Sequence, residues 1–240
     1  TSAWVVLPTY NEAENLARML RAILSLDCDL RLLVVDDASP DGTGAIAAQM
    51  AKEYSAIEVL HREGERGLGT AYLAGFHHAI GAGAEAVLTM DCDFSHDPQS
   101  IPALLEALNG HDLVIGSRYV AGGRIENWPF HRKLLSASAN RFVRALFRVP
   151  VRDCTSGFRL YRKETLEAIP WPRVRSSGYS FLVETLYWAS QQPGFRVREV
   201  PICFVDRERG QSKMGPREAI HGVKNLLRLR MELRGKRGNR

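Results

Sequence analysis

The chain has 240 residues, 45% of them hydrophobic, which suits one large α/β domain with a sizeable core. It carries 32 basic and 27 acidic residues, a net charge of +5, and no uncharged apolar run approaches the length of a transmembrane helix. The first residues lack the basic region and cleavage site of a signal peptide, and the four widely spaced cysteines disfavour a zinc site. We therefore expect reduced thiols and no membrane span.

The first half of the chain alternates short apolar runs with amphipathic stretches. The apolar runs predict buried strands at residues 3–8, 30–37, 57–61, 84–91 and 111–119. The amphipathic stretches predict helices at residues 11–26, 43–54, 69–83 and 98–110, the first of them starting at Asn11. Because continuous apolar strands alternate with helices, the sequence predicts an α/β fold in which helices flank a mostly parallel central sheet.

The second half of the chain has a less regular pattern. It predicts a loop at 120–132, an amphipathic helix at 133–147, a strand or turn entering a helix at 155–169, a helix at 179–192, one strand at 195–206 and a last helix at 217–233. We find no internal repeat or linker. We therefore predict a single domain over residues 1–240, with a basic amphipathic C-terminal segment from about 216 to 240.

Polar side chains follow the predicted strands at the point where each strand ends. They are Tyr10 and Glu12 after the first strand, Asp36 and Asp37 after the second, Asp91 and Asp93 after the fourth, and Arg118 after the fifth. In a parallel sheet, ligands bind beyond the carboxyl ends of the strands. We therefore expect these side chains to form one site at one edge of the sheet.

The stretch Asp91-Cys92-Asp93 places two carboxylates two residues apart at a strand end. In an extended chain both project to the same side, where two unpaired carboxylates would repel each other. A divalent cation removes this conflict, since Mg²⁺ and Mn²⁺ prefer a few carboxylates plus substrate phosphates. The alternative is that one aspartate caps a helix and the other is solvated; the other acids nearby favour a metal.

Two neighbouring segments leave alternatives open. Residues 39–42 have strong turn chemistry, whereas Asp36 and Asp37 suit hydrogen bonds from a nucleobase or ribose. Three glycines precede or begin the next helix, and they indicate either a phosphate cradle or a simple turn: Gly64, Gly67 and Gly69. Four histidines form no metal or catalytic-triad pattern: His77, His78, His96 and His111.

Basic residues gather in the second half of the chain, which indicates an anionic partner. Arg207 and Lys213 form either an exposed basic loop or a mobile clamp on pyrophosphate. In the helix from 133, Arg141, Arg144 and Arg148 indicate a solvated face or a face on a membrane surface. The apolar residues beside them are Phe142, Val143, Leu146 and Phe147. Without interleaved stacking aromatics or a recognised motif, we expect no nucleic acid partner.

Seven motifs occur in order across residues 8–215: PTYNEAENL, VVDDASPDGT, GLGTAYLAGF, MDCDFSHDP, GSRYVAGG, TSGFRLYRKETLE and FVDRERGQSKMG. Together they resemble the polyprenol-phosphate (dolichyl-phosphate) mannose synthases of glycosyltransferase family 2. The resemblance implies a Rossmann-like GT-A fold, Mg²⁺ or Mn²⁺ as cofactor, and inverting transfer of mannose from GDP-mannose to a polyprenyl (dolichyl) monophosphate. The alternatives are another nucleotide sugar such as UDP-glucose with the same lipid, or a non-catalytic nucleotide-sugar-binding subunit.

The resemblance also implies roles for individual residues. Those implied in nucleotide-sugar binding are Pro8, Tyr10, Glu12, Val35, Asp37, Asp91, Cys92, Asp93, Arg118, Arg207 and Lys213. Those implied in catalysis are Asp91, Asp93, Arg118, Arg207 and Lys213. The implied metal ligands are Asp91, Asp93 and Ser95, and the implied contacts to the acceptor phosphate are Arg118, Arg132 and Ser212.

Three features depart from the common family pattern. Cys92 replaces the usual alanine of the Asp-Ala-Asp motif, and Ser95 stands where some members carry a glutamine ligand. Many relatives carry C-terminal transmembrane helices, whereas this chain ends in a basic amphipathic segment. The resemblance therefore implies a cytoplasmic protein, peripheral on the cytosolic membrane face, that works with a separate membrane-anchoring protein.

Overall fold

The computed structural model describes residues 2–63, 67–206, 222 and 224–231. The strands in these residues are β1 (Ala3–Thr9), β2 (Leu30–Asp36), β3 (Ile57–His61), β4 (Ala86–Thr89), β5 (Leu113–Ser117), β6 (Arg124–Glu126), β7 (Arg159–Arg162), β8 (Val197–Pro201) and β9 (Cys203–Val205). The α-helices are α1 (Leu16–Leu24), α2 (Thr43–Glu53), α3 (Leu68–Gly81), α4 (Ile101–Ala107), α5 (Phe130–Phe147), α6 (Lys163–Glu167) and α7 (Tyr179–Ser190).

A large, mostly parallel sheet forms the centre of the described part of the chain, as predicted. Its seven strands follow the order β3-β2-β1-β4-β7-β5-β8, and β6 pairs with β9 in a separate small sheet. Within the large sheet β7 runs antiparallel to both β4 and β5, while the other pairings are parallel. The start of β7 therefore lies at the same edge as the carboxyl ends of β1, β2, β4 and β5.

Alternate residues of each strand build two apolar layers, one on each face of the sheet, because successive strand side chains point to opposite faces. In β1, Trp4 and Val6 pack with side chains of α3, α5 and α7. Val5 and Leu7 pack on the other face with side chains of α1, α2 and α4. These two covered faces fix the sheet, so that the loops beyond its edge can carry the polar residues.

The single strand predicted at 195–206 is wrong, since the chain changes sheets within it. β8 pairs with β5 as far as Pro201, and β9 then pairs with β6, which lies in the predicted loop. Proline has no backbone N–H to continue a ladder, which favours the break there. The first helix also begins later than predicted: Asn11 has a φ of +58°, a left-handed conformation that a helix cannot contain, and α1 starts at Leu16.

Of the four apolar residues considered for an outward, membrane-facing side of α5, only Phe142 is exposed. Val143 and Phe147 pack into the core and Leu146 is half-buried, because these residues face the sheet. The exposed large apolar residues of α5 are Phe130, Leu134, Leu135 and Phe142. The helix also begins at Phe130, three residues before its predicted start.

The C-terminal segment is described only in part. Residues 224–231 are helical, and Leu226 and Leu229 pack into the core. The remainder of the predicted segment, apart from residue 222, lies outside the described residues. None of the described helices combines the length and the apolar character needed to cross a bilayer.

Candidate active site

The polar residues predicted to converge lie at one edge of the central sheet. Asp37, Asp91 and Arg118 directly follow β2, β4 and β5 or lie within two residues of their ends. The antiparallel strand β7 brings the preceding loop, residues 152–158, to the same edge. At Gly157 a Cβ atom would lie only 3.8 Å from Oδ1 of Asp91. The site is thus built from loops that are far apart in the sequence.

The Asp91-Cys92-Asp93 loop is fixed by its middle residue and by a tight turn. Cys92 is buried in the core and anchors the loop, Asp93 is also buried, and Asp91 is half-buried. Oδ1 of Asp93 accepts hydrogen bonds from the backbone N–H of Ser95 at 3.0 Å and from its hydroxyl at 2.6 Å. Phe94, between Asp93 and Ser95, has a φ of +60°. The centre of its ring lies 4.8 Å from the guanidinium carbon of Arg18. Such a left-handed non-glycine residue stores strain, which is typical of functional sites.

His96 holds this loop in place, although the sequence pattern gave it no role. Its Nδ1 accepts a hydrogen bond from the backbone N–H of Asp91 at 3.1 Å, and its ring stacks on Phe158 at 5.1 Å. Burial, offset in part by Asp93, lowers the pKa of His96 to about 4. The neutral ring must therefore carry its proton on Nε2. The signal available in the sequence was its place in the same loop, five residues after Asp91.

The two aspartates suit a divalent cation whose remaining ligands come from a diphosphate and water. Gly157 of the loop before β7 lies against this loop, since a Cβ on it would be in ordinary contact with Asp91 and His96, at 3.8 Å from each. No cluster of three or more acidic, histidine or cysteine side chains in the described residues would hold a metal by itself. The Ser95 hydroxyl is directed at Asp93, so it supports that carboxylate, and its own ligation of metal stays a prediction.

The aspartates after β2 have different surroundings. Asp36 accepts hydrogen bonds from Ser39 and so stabilises the turn that follows the strand. Asp37 accepts a 2.7 Å hydrogen bond from Nη1 of Arg62 and a 3.0 Å hydrogen bond from the backbone N–H of Gly67. No role for Arg62 was predicted. The pair with Arg62 holds the Asp37 carboxylate at the site edge, where it was predicted to contact the nucleotide.

The two described glycines near the start of α3 favour close packing over a phosphate cradle. A Cβ at Gly69 would lie 2.9 Å from the ring of Phe181, so this position needs a glycine for close approach. Gly67 supplies its N–H to Asp37, and Gly64 lies outside the described residues.

Four residues on β1, β2 and the loop after β1 were predicted to bind the nucleotide: Pro8, Tyr10, Glu12 and Val35. The Val35 side chain is buried in the core, so only its backbone can approach a ligand. Glu12 is buried beside the first turn, where its N–H donates to Thr43 and its carboxylate accepts from Asn15. Pro8 and Tyr10 are half-buried at the strand end.

Arg118 is buried and held by an acid that the sequence pattern did not reveal. Its Nε and Nη2 each donate a 2.7 Å hydrogen bond to Asp153, in a two-pronged ion pair. Three aromatic rings, those of Tyr119, Trp128 and Phe204, lie within 6 Å of its guanidinium carbon, at 5.4, 5.9 and 5.3 Å. The only signal for Asp153 was its place in the stretch Asp-Cys-Thr-Ser-Gly, most of whose residue types are ordinary in turns.

Arg132 lies beside Arg118 at the start of α5. Its guanidinium stacks on Trp128 at 4.0 Å and donates to Asp206 at 2.9 Å. Both side chains of the Arg132–Asp206 pair are about one-third exposed, so this pair is accessible to a ligand. The remaining predicted basic and acceptor residues, Arg207, Ser212 and Lys213, lie outside the described residues.

Close approach of the backbone explains why the last residue of the GSRYVAGG motif, Gly123, is a glycine. A Cβ on this residue would lie 2.5 Å from the carbonyl oxygen of Ser117 and 2.9 Å from the carbonyl carbon of Arg118. We expect Gly123→Ala to destabilise the protein by about 2 kcal/mol, since backbone must move, and to lower transfer activity by displacing Arg118. Urea unfolding measures the first effect. Gly81→Ala is the matched control, with open space and no positive φ, and an equal loss in both variants would contradict the argument.

The chain matches known proteins over most of its length. The model of the family described as Glycosyl transferase family 2 matches residues 4–169. A polyprenol monophosphomannose synthase from Mycolicibacterium smegmatis is 46% identical over 224 residues, 91% of this chain and 84% of that protein. An undecaprenyl-phosphate mannosyltransferase from Micrococcus luteus is 43% identical over 223 residues, 93% of this chain and 91% of that protein.

Solved structures with a similar fold are known. Glucosyl-3-phosphoglycerate synthase from Mycobacterium tuberculosis, in complex with Mn²⁺ and uridine-diphosphate-glucose, matches with a TM-score of 0.70 and 20% identity, over 95% of this chain and 78% of that chain. The same enzyme with Mg²⁺ and uridine-diphosphate matches with a TM-score of 0.67 and 18% identity, over 95% of this chain and 79% of that one. At this identity the likeness concerns the fold alone, and it confirms the predicted GT-A fold.

Proposed function

Because this chain belongs to glycosyl transferase family 2, it is a glycosyltransferase, and we propose that it transfers mannose from GDP-mannose to a polyprenyl (dolichyl) monophosphate with inversion. The names of the two sequence relatives support both the sugar and the lipid acceptor. The observation that carries the proposal is the distribution of charge at the sheet edge. His96, which holds the loop of Asp91 and Asp93, and the guanidinium carbon of Arg118 both contact the ring of Phe204, at 5.5 and 5.3 Å, so the two carboxylates and the arginine belong to one site.

The proposed reaction is a direct displacement at the anomeric carbon of the sugar. An oxygen of the lipid phosphate forms the new bond to that carbon, while the bond to GDP breaks and its electron pair leaves with the diphosphate. A phosphate monoester has a second pKa of about 6, so the nucleophile is largely anionic at neutral pH. It needs no strong general base, which matches a site in which the buried His96 is committed to a backbone N–H.

The residues at the edge divide the work between donor and acceptor. Asp91 and Asp93 would hold Mg²⁺ or Mn²⁺, which would supply positive charge against the negative charge of the departing diphosphate. Arg118 and Arg132 orient the acceptor phosphate by charge-assisted hydrogen bonds. Arg207 and Lys213 stay predicted contacts to the diphosphate, and Ser212 stays a predicted contact to the acceptor.

A sugar-transfer assay tests the proposal. Purified protein is incubated with polyprenyl phosphate, Mg²⁺ or Mn²⁺ and radiolabelled GDP-mannose or UDP-glucose, and label is counted in the organic extract. We expect label from GDP-mannose to enter the lipid. Preferential label from UDP-glucose would instead support the alternative donor. Nucleotide-sugar binding without any transfer would support the non-catalytic subunit.

We also propose that α5 docks the protein on the anionic, cytosolic face of a membrane, where a polyprenyl phosphate is found. Residues 127–152 contain six lysines and arginines and no acidic residue, so the segment complements anionic lipid. Phe130 is 80% exposed at the helix start, two residues from Arg132, so an apolar anchor adjoins the acceptor side of the site. The separate membrane-anchoring protein implied by the resemblance stays a prediction.

The double variant Phe130→Ser, Leu134→Ser is expected to lower vesicle binding at least about tenfold, since each apolar side chain inserted in lipid contributes roughly 1.5 kcal/mol or more. Flotation with vesicles containing anionic phospholipid measures the change at low salt. Tyr54→Ser is the control, because Tyr54 is also an exposed apolar residue but follows α2, outside the basic segment. Equal flotation of the double variant and the wild type would contradict docking through α5.

A further inference from the structure

Arg118 is held side-on by a fully buried carboxylate. Asp153 has no exposed side-chain surface. Its two oxygens accept hydrogen bonds from Nε and Nη2 of Arg118. One of these oxygens also accepts the backbone N–H of Arg118 at 3.0 Å. In this geometry the Nη1 amino group points away from Asp153. The pair therefore fixes the position of the guanidinium.

A second hydrogen bond sets the rotation of the guanidinium. Nη2 of Arg118 donates to the Thr155 hydroxyl at 2.8 Å, and this hydroxyl also accepts from Asn140 of α5 at 3.2 Å. The loop that carries Asp153 is in turn held by Glu199 of β8, which accepts the N–H groups of residues 152 and 153 at 2.7 and 2.9 Å. The orientation of Arg118 is thus determined by elements on both sides of the loop.

The charge of Asp153 is secured in spite of its burial. Burial alone opposes ionisation, yet the charge and hydrogen bonds of Arg118 keep the pKa of Asp153 below its ordinary value. A buried, charged pair of this kind costs desolvation energy and contributes little net stability. We therefore attribute its presence to the fixed orientation that it gives the Arg118 guanidinium. Because the pair with Asp153 neutralises the net charge of Arg118, the arginine acts by directed hydrogen bonds.

We propose that Asp153, together with Thr155, is a positioning residue that orients Arg118 toward the phosphate of the lipid acceptor. The inference rests on the proposed function, since it assigns the acceptor phosphate to Arg118. The inference predicts that a change at Asp153 weakens binding of the lipid phosphate through Arg118. Binding of the nucleotide should not change. A misplacement of about 1 Å in such a group can cost on the order of 100-fold.

The test uses Asp153→Asn, which keeps the shape of the side chain and removes its charge. We expect the KM for polyprenyl phosphate to rise about 10- to 100-fold, with nucleotide affinity changed less than about twofold. The KM for polyprenyl phosphate in the double variant Asp153→Asn, Arg118→Ala should be no higher than in Arg118→Ala alone, because both changes remove the same interaction. Glu184→Gln is the control, since Glu184 is another fully buried carboxylate that accepts backbone N–H groups, in α7. Additive losses, or an unchanged acceptor KM, would overturn the proposal.

A milder pair of variants covers the case in which Asp153→Asn does not fold. Thr155→Val removes the hydroxyl that Nη2 contacts, and Thr155→Ser keeps it. We expect the acceptor KM to rise about 3- to 10-fold in the valine variant, as for one lost hydrogen bond, and to stay near wild type in the serine variant. Equal values in the two variants would overturn the role of Thr155 in orienting Arg118.

Equilibrium binding separates this inference from the proposed reaction. Calorimetric titration of a short-chain polyprenyl phosphate into the wild type and the Asp153 and Thr155 variants needs no sugar transfer. Wild-type binding without transfer would refute the proposed reaction, while weaker binding by the variants would still support the positioning role. Failure of the wild type to bind the phosphate would overturn both.

Discussion

Asp93→Asn is expected to lower the rate of sugar transfer about 1000-fold, and Asp91→Asn is expected to act similarly. Asparagine keeps the size of the side chain and, at position 93, can still accept the N–H of Ser95. The backbone turn should therefore survive. What is lost is the negative charge that, in the proposed function, would hold the cation beside the diphosphate. The effect should appear in kcat at saturating substrate, because the charge on the departing diphosphate develops as the bond breaks.

Asp97→Asn is the matched control for this pair. Asp97 lies in the same loop and accepts the N–H of Gln99 at the start of a short 3-10 helix, a role that asparagine fills equally well. Its rate should stay close to wild type. Near-normal rates for both Asp91→Asn and Asp93→Asn in the presence of a chelator would rule out the proposed use of a metal.

Arg159→Leu is expected to lower the free energy of unfolding by about 3 kcal/mol or more, measured by urea denaturation. The side chain is fully buried at the start of β7, and its guanidinium donates to the carbonyl oxygens of Cys154, Ser156 and Leu182 at 2.7, 2.8 and 2.6 Å. Leucine fills much of the volume but leaves these buried acceptors without that donor. Each orphaned acceptor costs on the order of 1–3 kcal/mol.

The control is Arg162→Leu, at the other end of the same strand. Arg162 also donates to two carbonyl oxygens, those of Leu108 and His111, but it is half-buried, so water can replace the lost bonds. The free energy of unfolding of Arg162→Leu should fall by only about 1 kcal/mol. Equal losses for the two variants would contradict the special role of Arg159. Because Arg159 also lowers the pKa of Asp153, the leucine variant should lose activity as well as stability.

The sequence was sufficient for the parts of the protein that depend on local pattern. Continuous apolar runs such as the one ending at Asp36 predicted buried parallel strands, and residues directly after the strands predicted the site edge. The spacing of Asp91 and Asp93 predicted two carboxylates on one side because an extended chain alternates its side chains. These predictions needed no knowledge of how distant segments meet.

The remainder depends on contacts between distant segments, which periodicity does not reveal. Asp153 reaches Arg118 only because β7 runs antiparallel, and the pattern at 155–169 indicated no direction. His96 gains its role from a buried contact with Phe158 of the same distant loop. The outward face of α5 was misjudged because several faces of that helix carry apolar residues, and only packing selects the buried one.

The reversed strand also imposes an order on how the protein can be assembled. β4 and β5 are separated by only about 25 residues of chain, yet they do not pair with each other, because β7 lies between them. While the ribosome makes the chain, β1, β2, β3 and β4 can therefore associate early, but β5 has no partner in the central sheet until residues 159–162 emerge. Until then the facing edges of β4 and β5 stay open and prone to intermolecular pairing. The half of the sheet built from β1 to β4 can thus form first, and β5 and β8 join it only after β7 has emerged.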